Sequence, residues 1–142
     1  MLIKLKRLHK DAKVPTRGTM FSAASDLYAV EDVELSPGNV GILSCGWAFE
    51  IPPDYYVEIV PRSGLACKKE VIILNSPCII DSDYRGEIKT YAKNVGTELV
   101  KIKVGERYAQ MILKKVLYTV FNEINELSKT NRGSGGFGST GK

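Results

Sequence analysis

The stretch Glu87-Ile88-Lys89-Thr90-Tyr91-Ala92-Lys93-Asn94-Val95 alternates in character from one residue to the next, and that period of two decides the fold class. The same period resumes further on, where Val100, Ile102 and Val104 alternate with Leu99, Lys101 and Lys103. At the N-terminus Ile3 and Leu5 alternate with Lys4 and Lys6. Val57-Glu58-Ile59-Val60 and Val71-Ile72-Ile73-Leu74 are short runs bounded by Pro, Ser, Gly or Asn, as strands are. Turn signals recur at Ser36-Pro37-Gly38, Pro52-Pro53-Asp54, Asn75-Ser76-Pro77 and Asn94-Val95-Gly96-Thr97. Many short strands at this spacing predict an all-β fold, a jelly-roll-like sandwich or barrel.

Two segments depart from the period of two. Ser63 to Lys69 reads as one short helix. Leu113, Leu117, Val120, Ile124 and Leu127 fit a helical stripe, but the residue types of Val116-Leu117-Tyr118-Thr119-Val120-Phe121 favour a strand, and a strand is the expectation there.

At 142 residues the chain is expected to form one domain over 1–131, followed by a separate arm over 132–142. A hydrophobic content of 44% and a charged content of 25% are those of a soluble globular protein. The charge of +4 is modest, and the six cations between Lys4 and Arg17 are read as solvated surface, so no direct nucleic-acid binding is expected. Three cysteines without a C-x-x-C pair argue against a disulfide framework. With no secretory signal and no long apolar run, no membrane association is expected, and the location is expected to be cytoplasmic or otherwise intracellular (a host cell if the source is viral). His9 is the whole histidine inventory, so a His-rich zinc site is excluded and a Ser-His-Asp triad is disfavoured. A general base must then come from another residue type, with Asp and Glu the obvious candidates for phosphate-ester hydrolysis.

The arm, Arg132-Gly-Ser-Gly-Gly-Phe-Gly-Ser-Thr-Gly-Lys142, has five glycines, two cations and a single aromatic. It is too poor in apolar side chains to order itself, yet its chemistry suits a triphosphate. Glycine backbones let N–H groups approach phosphate oxygens, Arg132 can pair with a phosphate, and Phe137 offers a flat face to a base. Gly136 to Lys142 also fits the start of a P-loop, but the Ser or Thr and the helix that should follow the lysine are missing, so that match is accidental.

Four further motifs precede the arm: Ala24-Ser25-Asp26-Leu27-Tyr28-Ala29, Pro61-Arg62-Ser63-Gly64-Leu65-Ala66, Ile80-Asp81-Ser82-Asp83-Tyr84-Arg85-Gly86-Glu87 and Gly105-Glu106-Arg107-Tyr108-Ala109-Gln110-Met111. The five in this order resemble the trimeric dUTPases over nearly the whole chain. The resemblance implies a jelly-roll subunit and a homotrimer with composite active sites. It implies Mg²⁺-assisted hydrolysis of dUTP to dUMP and pyrophosphate, which limits uracil incorporation into DNA and supplies dUMP for thymidylate synthesis.

The resemblance also assigns roles. Asp81, in a turn after the apolar Cys78-Ile79-Ile80, activates the water that attacks the α-phosphorus. Tyr84 packs on the deoxyribose and excludes a 2′-hydroxyl, while Arg85 is assigned to pairing within the turn or to a subunit contact. Arg62, Ser63 and Gly64 meet the phosphate chain, with N–H donors at the helix start, and Gln110 donates to a phosphate oxygen. Asp26 reaches Mg²⁺ through water, the metal being held mainly by the triphosphate, which suits an ion that keeps its waters. A hairpin over Leu74-Asn75-Ser76-Pro77-Cys78-Ile79 reads uracil with main-chain groups, and the Asn75 amide can join it. Phe137 stacks over uracil, while Arg132, Gly138, Ser139 and Thr140 close on the β- and γ-phosphates. The sequence departs from the family where Cys78, Glu70 and Ala24 replace glycine and where Tyr108 replaces isoleucine.

Two other functions fit the same fold. A dCTP deaminase would need a carboxylate near the base's C4 and a different set of arginines around the second motif. A nucleotide-switched regulatory protein would be favoured by loss of Asp81 or of the arm, and both are present. An RNA-binding Gly/Arg tail would need more than one arginine.

Overall fold

The computed structural model describes residues 1–139, and Thr140 lies outside them. Ten strands and one helix run in the order β1 (Lys4–Arg7), β2 (Ser25–Tyr28), β3 (Val33–Leu35), β4 (Val40–Glu50), β5 (Tyr55–Pro61), α1 (Ser63–Lys69), β6 (Val71–Ile73), β7 (Cys78–Ile80), β8 (Glu87–Asn94), β9 (Val100–Ile102) and β10 (Arg107–Lys115). Two four-stranded sheets, β1-β4-β8-β6 and β2-β10-β5-β7, face each other, with a two-stranded β3-β9 pair beside them. Every pairing is antiparallel. This is the all-β jelly-roll-like sandwich that the alternating strands predict.

The alternation works as expected in β8, where Ile88, Thr90, Ala92 and Asn94 turn inward and Lys89 and Tyr91 turn out. Leu27, Leu43, Phe49, Val57, Ile59 and Ile88 fill the space between the sheets. Asn94 is buried but satisfied: its Nδ2 donates to the carbonyls of Leu35 (2.8 Å) and Glu98 (2.7 Å), and its Oδ1 accepts the N–H of Gly96 (2.9 Å). Such a residue pins β3 and the 95–99 turn to the end of β8, because losing it would orphan buried carbonyls. Burial pushes the core thiol of Cys45 up to about 11, so it stays protonated and inert.

The strands carry two irregularities. In β4 the register slips between Ser44 and Ala48, and Gly46 sits there at φ 70° with His9, Val30 and Ala12 packed where a β-carbon would be. In β10 the register slips at Tyr108, so that Tyr108 and Ala109 both face the core. Strict alternation would have turned Arg107 inward and Tyr108 outward; the bulge reverses both.

Three expectations are corrected. The strand predicted over Val116–Phe121 does not form: β10 ends at Lys115, the Val116 N–H still reaches the Asp54 carbonyl (2.7 Å), and no helix or strand comes after it among the described residues. A strand needs a neighbour to pair with, and beyond Asp54 the chain runs out into solvent with Leu117, Val120 and Phe121 exposed. The segment 74–77 is not the turn of a hydrogen-bonded hairpin but a corner between sheets, because β6 pairs with β8 and β7 with β5. The substitutions for glycine are also less strained than residue type suggests. Glu70 alone of the three has positive φ, 51°, as the left-handed cap that ends α1.

Glu70→Gly should therefore stabilise the protein by about 1 kcal/mol, through relief of a left-handed conformation that a β-carbon disfavours. Urea unfolding at fixed protein concentration reads this as a higher midpoint with an unchanged slope. A lower midpoint would mean that the Glu70 side chain contributes more than the strain costs.

Candidate active site

The first, second and fourth motifs meet at one edge of the β2-β10-β5-β7 sheet. Asp26 and Gln110 are cross-strand partners in β2 and β10, and Gln110 sits opposite Val60 in β5. Arg62 comes directly after β5 and caps α1. Its Nε donates to Oδ1 of Asp26 (2.8 Å), and the Arg107 guanidinium donates to Oδ2 (3.2 Å). One carboxylate, only 12% exposed, thus holds two guanidiniums together. Gln110 donates one amide hydrogen to the Pro61 carbonyl (3.1 Å) and keeps another for a ligand.

Ser63 is not a capping serine: Arg62 holds the cap position, with no side-chain cap bond. Ser63 and Gly64 are the first helical residues, so their N–H groups have no carbonyl four residues back within the helix. The edge offers guanidinium, amide and N–H donors around a single carboxylate, which is the chemistry of a phosphate chain.

Asp81 lies elsewhere. With Cys78, Tyr84, Glu87, Lys89 and Tyr91 it lines a separate hollow of about 370 Å³. Its carboxylate has no hydrogen-bond or ion-pair partner among the described residues. Burial pulls the Glu87 carboxyl up, but hydrogen bonds from Lys89 and Ser44 outweigh it and hold the group below the usual carboxylate range. Glu87 is thus committed to Lys89 (2.8 Å), and Asp81 is the bare acid of this hollow.

The Tyr84 hydroxyl donates to the Glu87 carbonyl (3.2 Å), and a β-carbon at Gly86 would collide with the Tyr84 ring. That glycine is what lets the ring lie over the turn. Arg85 donates to the carbonyls of Ser82 (2.6 Å) and Tyr84 (2.9 Å), bracing the turn as expected. Asn75 Oδ1 accepts the Tyr91 N–H (3.3 Å), which fixes the corner, and its side chain also interacts with the Cys78 thiol. Tyr108, at a family isoleucine position, lies wholly in the core, whereas Cys78, at a family glycine position, packs on the core and also lines the Asp81 hollow. Burial raises the Cys78 thiol, and Tyr108 is 0% exposed. The bulk of Tyr108 is taken up between the sheets.

In the arm, Arg132 donates to the Gly135 carbonyl (2.8 Å), the Ser139 N–H reaches Gly136 (3.0 Å), and Phe137 is fully exposed. Gly138 takes φ 90°. Arg132, Phe137, Gly138 and Ser139 therefore make only local turns here and are not brought to either hollow. Arg107 is a site residue that sequence reasoning missed. Its motif was visible, but the bulge that turns it toward Asp26 was not.

Among the described residues, no three His, Cys, Asp or Glu side chains gather into a metal cage. Both Asp26 oxygens are engaged by arginines, yet a carboxylate has lone pairs to spare for metal-bound water. That donor set fits a Mg²⁺ ion carried on a triphosphate and not one held by the protein alone. No helix among the described residues is long and apolar enough to cross a membrane.

A jelly-roll fold with donors suited to phosphate on one edge and a bare carboxylate in another hollow defines the class: a fold fitted to a nucleotide phosphate. The dUTPase family model matches residues 10–141, and the chain belongs to the dUTPase family. The deoxyuridine 5′-triphosphate nucleotidohydrolase of Nautilia profundicola is 47% identical over 142 residues, covering all of both chains. That of Helicobacter pylori is 41% identical over 99% of this chain and 97% of its own. Among solved structures, a Staphylococcus bacteriophage 80alpha dUTPase with dUPNHPP is 25% identical, with a TM-score of 0.91 and 99% of each chain covered. A mutant dUTPase of phage phi11, whose structure concerns a structural Mg(II) ion, shares the fold at 20% identity and a TM-score of 0.83, over 89% of this chain and 98% of that one.

Asp26→Asn should cost about 1–2 kcal/mol of stability, because it turns an amide toward one guanidinium and leaves two like charges adjacent. A urea midpoint unchanged from the parent would show that the two arginines do not depend on Asp26.

Proposed function

We propose that this protein hydrolyses dUTP to dUMP and pyrophosphate, with active sites built from more than one subunit of a homotrimer. Full-length relatives named as deoxyuridine 5′-triphosphate nucleotidohydrolases support the substrate. The observation that carries the composite site is strand register. β5 and β7 are antiparallel, with Ile59 opposite Cys78 and Val57 opposite Ile80. Arg62 lies just past one end of this pair and Asp81 just past the other. About six strand residues separate them, or roughly 20 Å at ~3.3 Å per residue. One chain cannot put both on the same α-phosphorus, so a second must supply the missing half.

In this mechanism Asp81 orients a water and takes its proton as the oxygen attacks the α-phosphorus. The bond from that phosphorus to the α,β-bridging oxygen breaks, and pyrophosphate leaves. Arg62, Gln110 and the Ser63 and Gly64 N–H groups hold the phosphates in line. Mg²⁺, brought in with the triphosphate and met by Asp26 through water, neutralises phosphate charge when bound. Tyr84 excludes ribose, and Asn75 Nδ2 donates to a uracil carbonyl. The 132–142 arm, with Arg132, Phe137, Gly138 and Ser139, and with Thr140 beyond the described residues, closes over the nucleotide. The hydrolase is favoured over a deaminase or a regulatory switch because Asp81 is bare and both Asp26-held arginines face the phosphate edge.

Asp81→Asn should lower turnover by about 10²–10⁴-fold, the usual contribution of a general base, while dUTP still binds. Arg62→Ala should also be nearly inactive. Trimers refolded from a mixture of the two chains should regain activity that neither parent has. No recovery, in mixtures shown by mass to contain both chains, would mean that Asp81 and Arg62 serve the same site from one chain.

Deleting residues 132–142 should nearly abolish pyrophosphate release and leave the melting transition in place, since none of the arm's described residues is buried and none belongs to the core. Retained turnover would remove the lid from the mechanism.

A further inference from the structure

The β1-β4-β8-β6 sheet turns one face to the core and the other outward. Where one side of an antiparallel sheet meets water, its outward positions ordinarily carry polar residues. Here Val40 and Ile42 of β4, Ile72 of β6 and Tyr91 of β8 point outward, with Leu74 just past β6. These five are between 36% and 53% exposed, so the sheet wets a surface that its residue types would bury. Register gathers them into two rows. Ile42 lies opposite Tyr91, whose carbonyl accepts the Leu74 N–H (2.7 Å), and Lys93 lies between Val40 and Ile72. The result is one contiguous patch, unlike the singly scattered apolar residues of an ordinary exterior. The patch runs on into the Asp81 hollow, because Tyr91 belongs to both.

We propose that this outer face receives a second copy of the chain, which lays its Arg62 edge against the Asp81 hollow. The inference rests on the hydrolase reading above and names the surface that completes its site. Arg62 and Asp81 stand at opposite ends of the β5–β7 ladder, so the arginine that serves a given Asp81 comes from another chain. That chain must settle beside the hollow, and Tyr91 puts the apolar patch there. Removing these side chains from water supplies the drive for the contact. The contact is head-to-tail, since the patch of one chain meets a different surface of the next. A contact of this kind generates a ring when its rotation closes. Two copies joined patch to patch would instead set two Asp81 hollows together with no Arg62 between them.

The test is sedimentation of the full chain beside Ile42→Asp and Ile72→Asp, with pyrophosphate release from dUTP measured on the same samples. Both positions lie on the patch and neither lines the hollow. The parent should sediment as a closed oligomer of more than two chains. Each Asp variant should assemble about a hundredfold more weakly, because its carboxylate would be buried unpaired. Single chains of either variant should be folded by near-ultraviolet circular dichroism and inactive. Ile42→Val and Ile72→Val, which keep the patch apolar, should assemble and turn over like the parent. A parent that stops at one or two chains, Asp variants that assemble as tightly as the parent, or single chains that keep the parent's turnover would each overturn the proposal. The hydrolase reading fails separately, through an assembled parent that releases no pyrophosphate from dUTP.

Discussion

The carboxylate of Asp26 between the guanidiniums of Arg62 and Arg107 is the contact on which the phosphate edge depends. Two guanidiniums side by side repel, and the carboxylate between them offsets that repulsion. Placing that carboxylate in β2, one arginine after β5 and the other at the start of β10 welds three of the five motifs together. Because Asp26 is mostly buried, solvent screens the pairing less than it would a surface ion pair.

The same sheet that assembles this edge keeps Asp81 away from it. An antiparallel β5–β7 pair necessarily sends the residues after each strand to opposite ends. Asp81 and the Arg62–Asp26–Arg107 cluster are thus held at opposite ends of one ladder. The apolar residues beyond Lys115 carry a related signature. They are strand-like in type and without a pairing strand among the described residues, because the sheet ends where Val116 meets Asp54.

The departures from the family pattern fall in different places: Tyr108 is absorbed by the core, Cys78 borders the Asp81 hollow, and Glu70 takes its positive φ at the cap of α1.

Much of this was legible in order along the chain. A period of two in Glu87–Val95 specifies strands whatever their partners, because side-chain direction is local, and Ser63–Lys69 reads as a helix from its own residues. The motifs around Asp26, Arg62, Asp81 and Gln110 likewise carry their chemistry in residue type. What the sequence could not contain is pairing. That 74–77 is a corner between sheets, that Val116–Phe121 has nothing to pair with, and that Arg62 and Asp81 stand at opposite ends of one ladder are statements about neighbours distant in sequence. The Tyr108 bulge is the clearest case: strict alternation would bury Arg107 and expose Tyr108, and only the β2–β10 register, one residue out of step, turns the arginine to Asp26 and the tyrosine to the core.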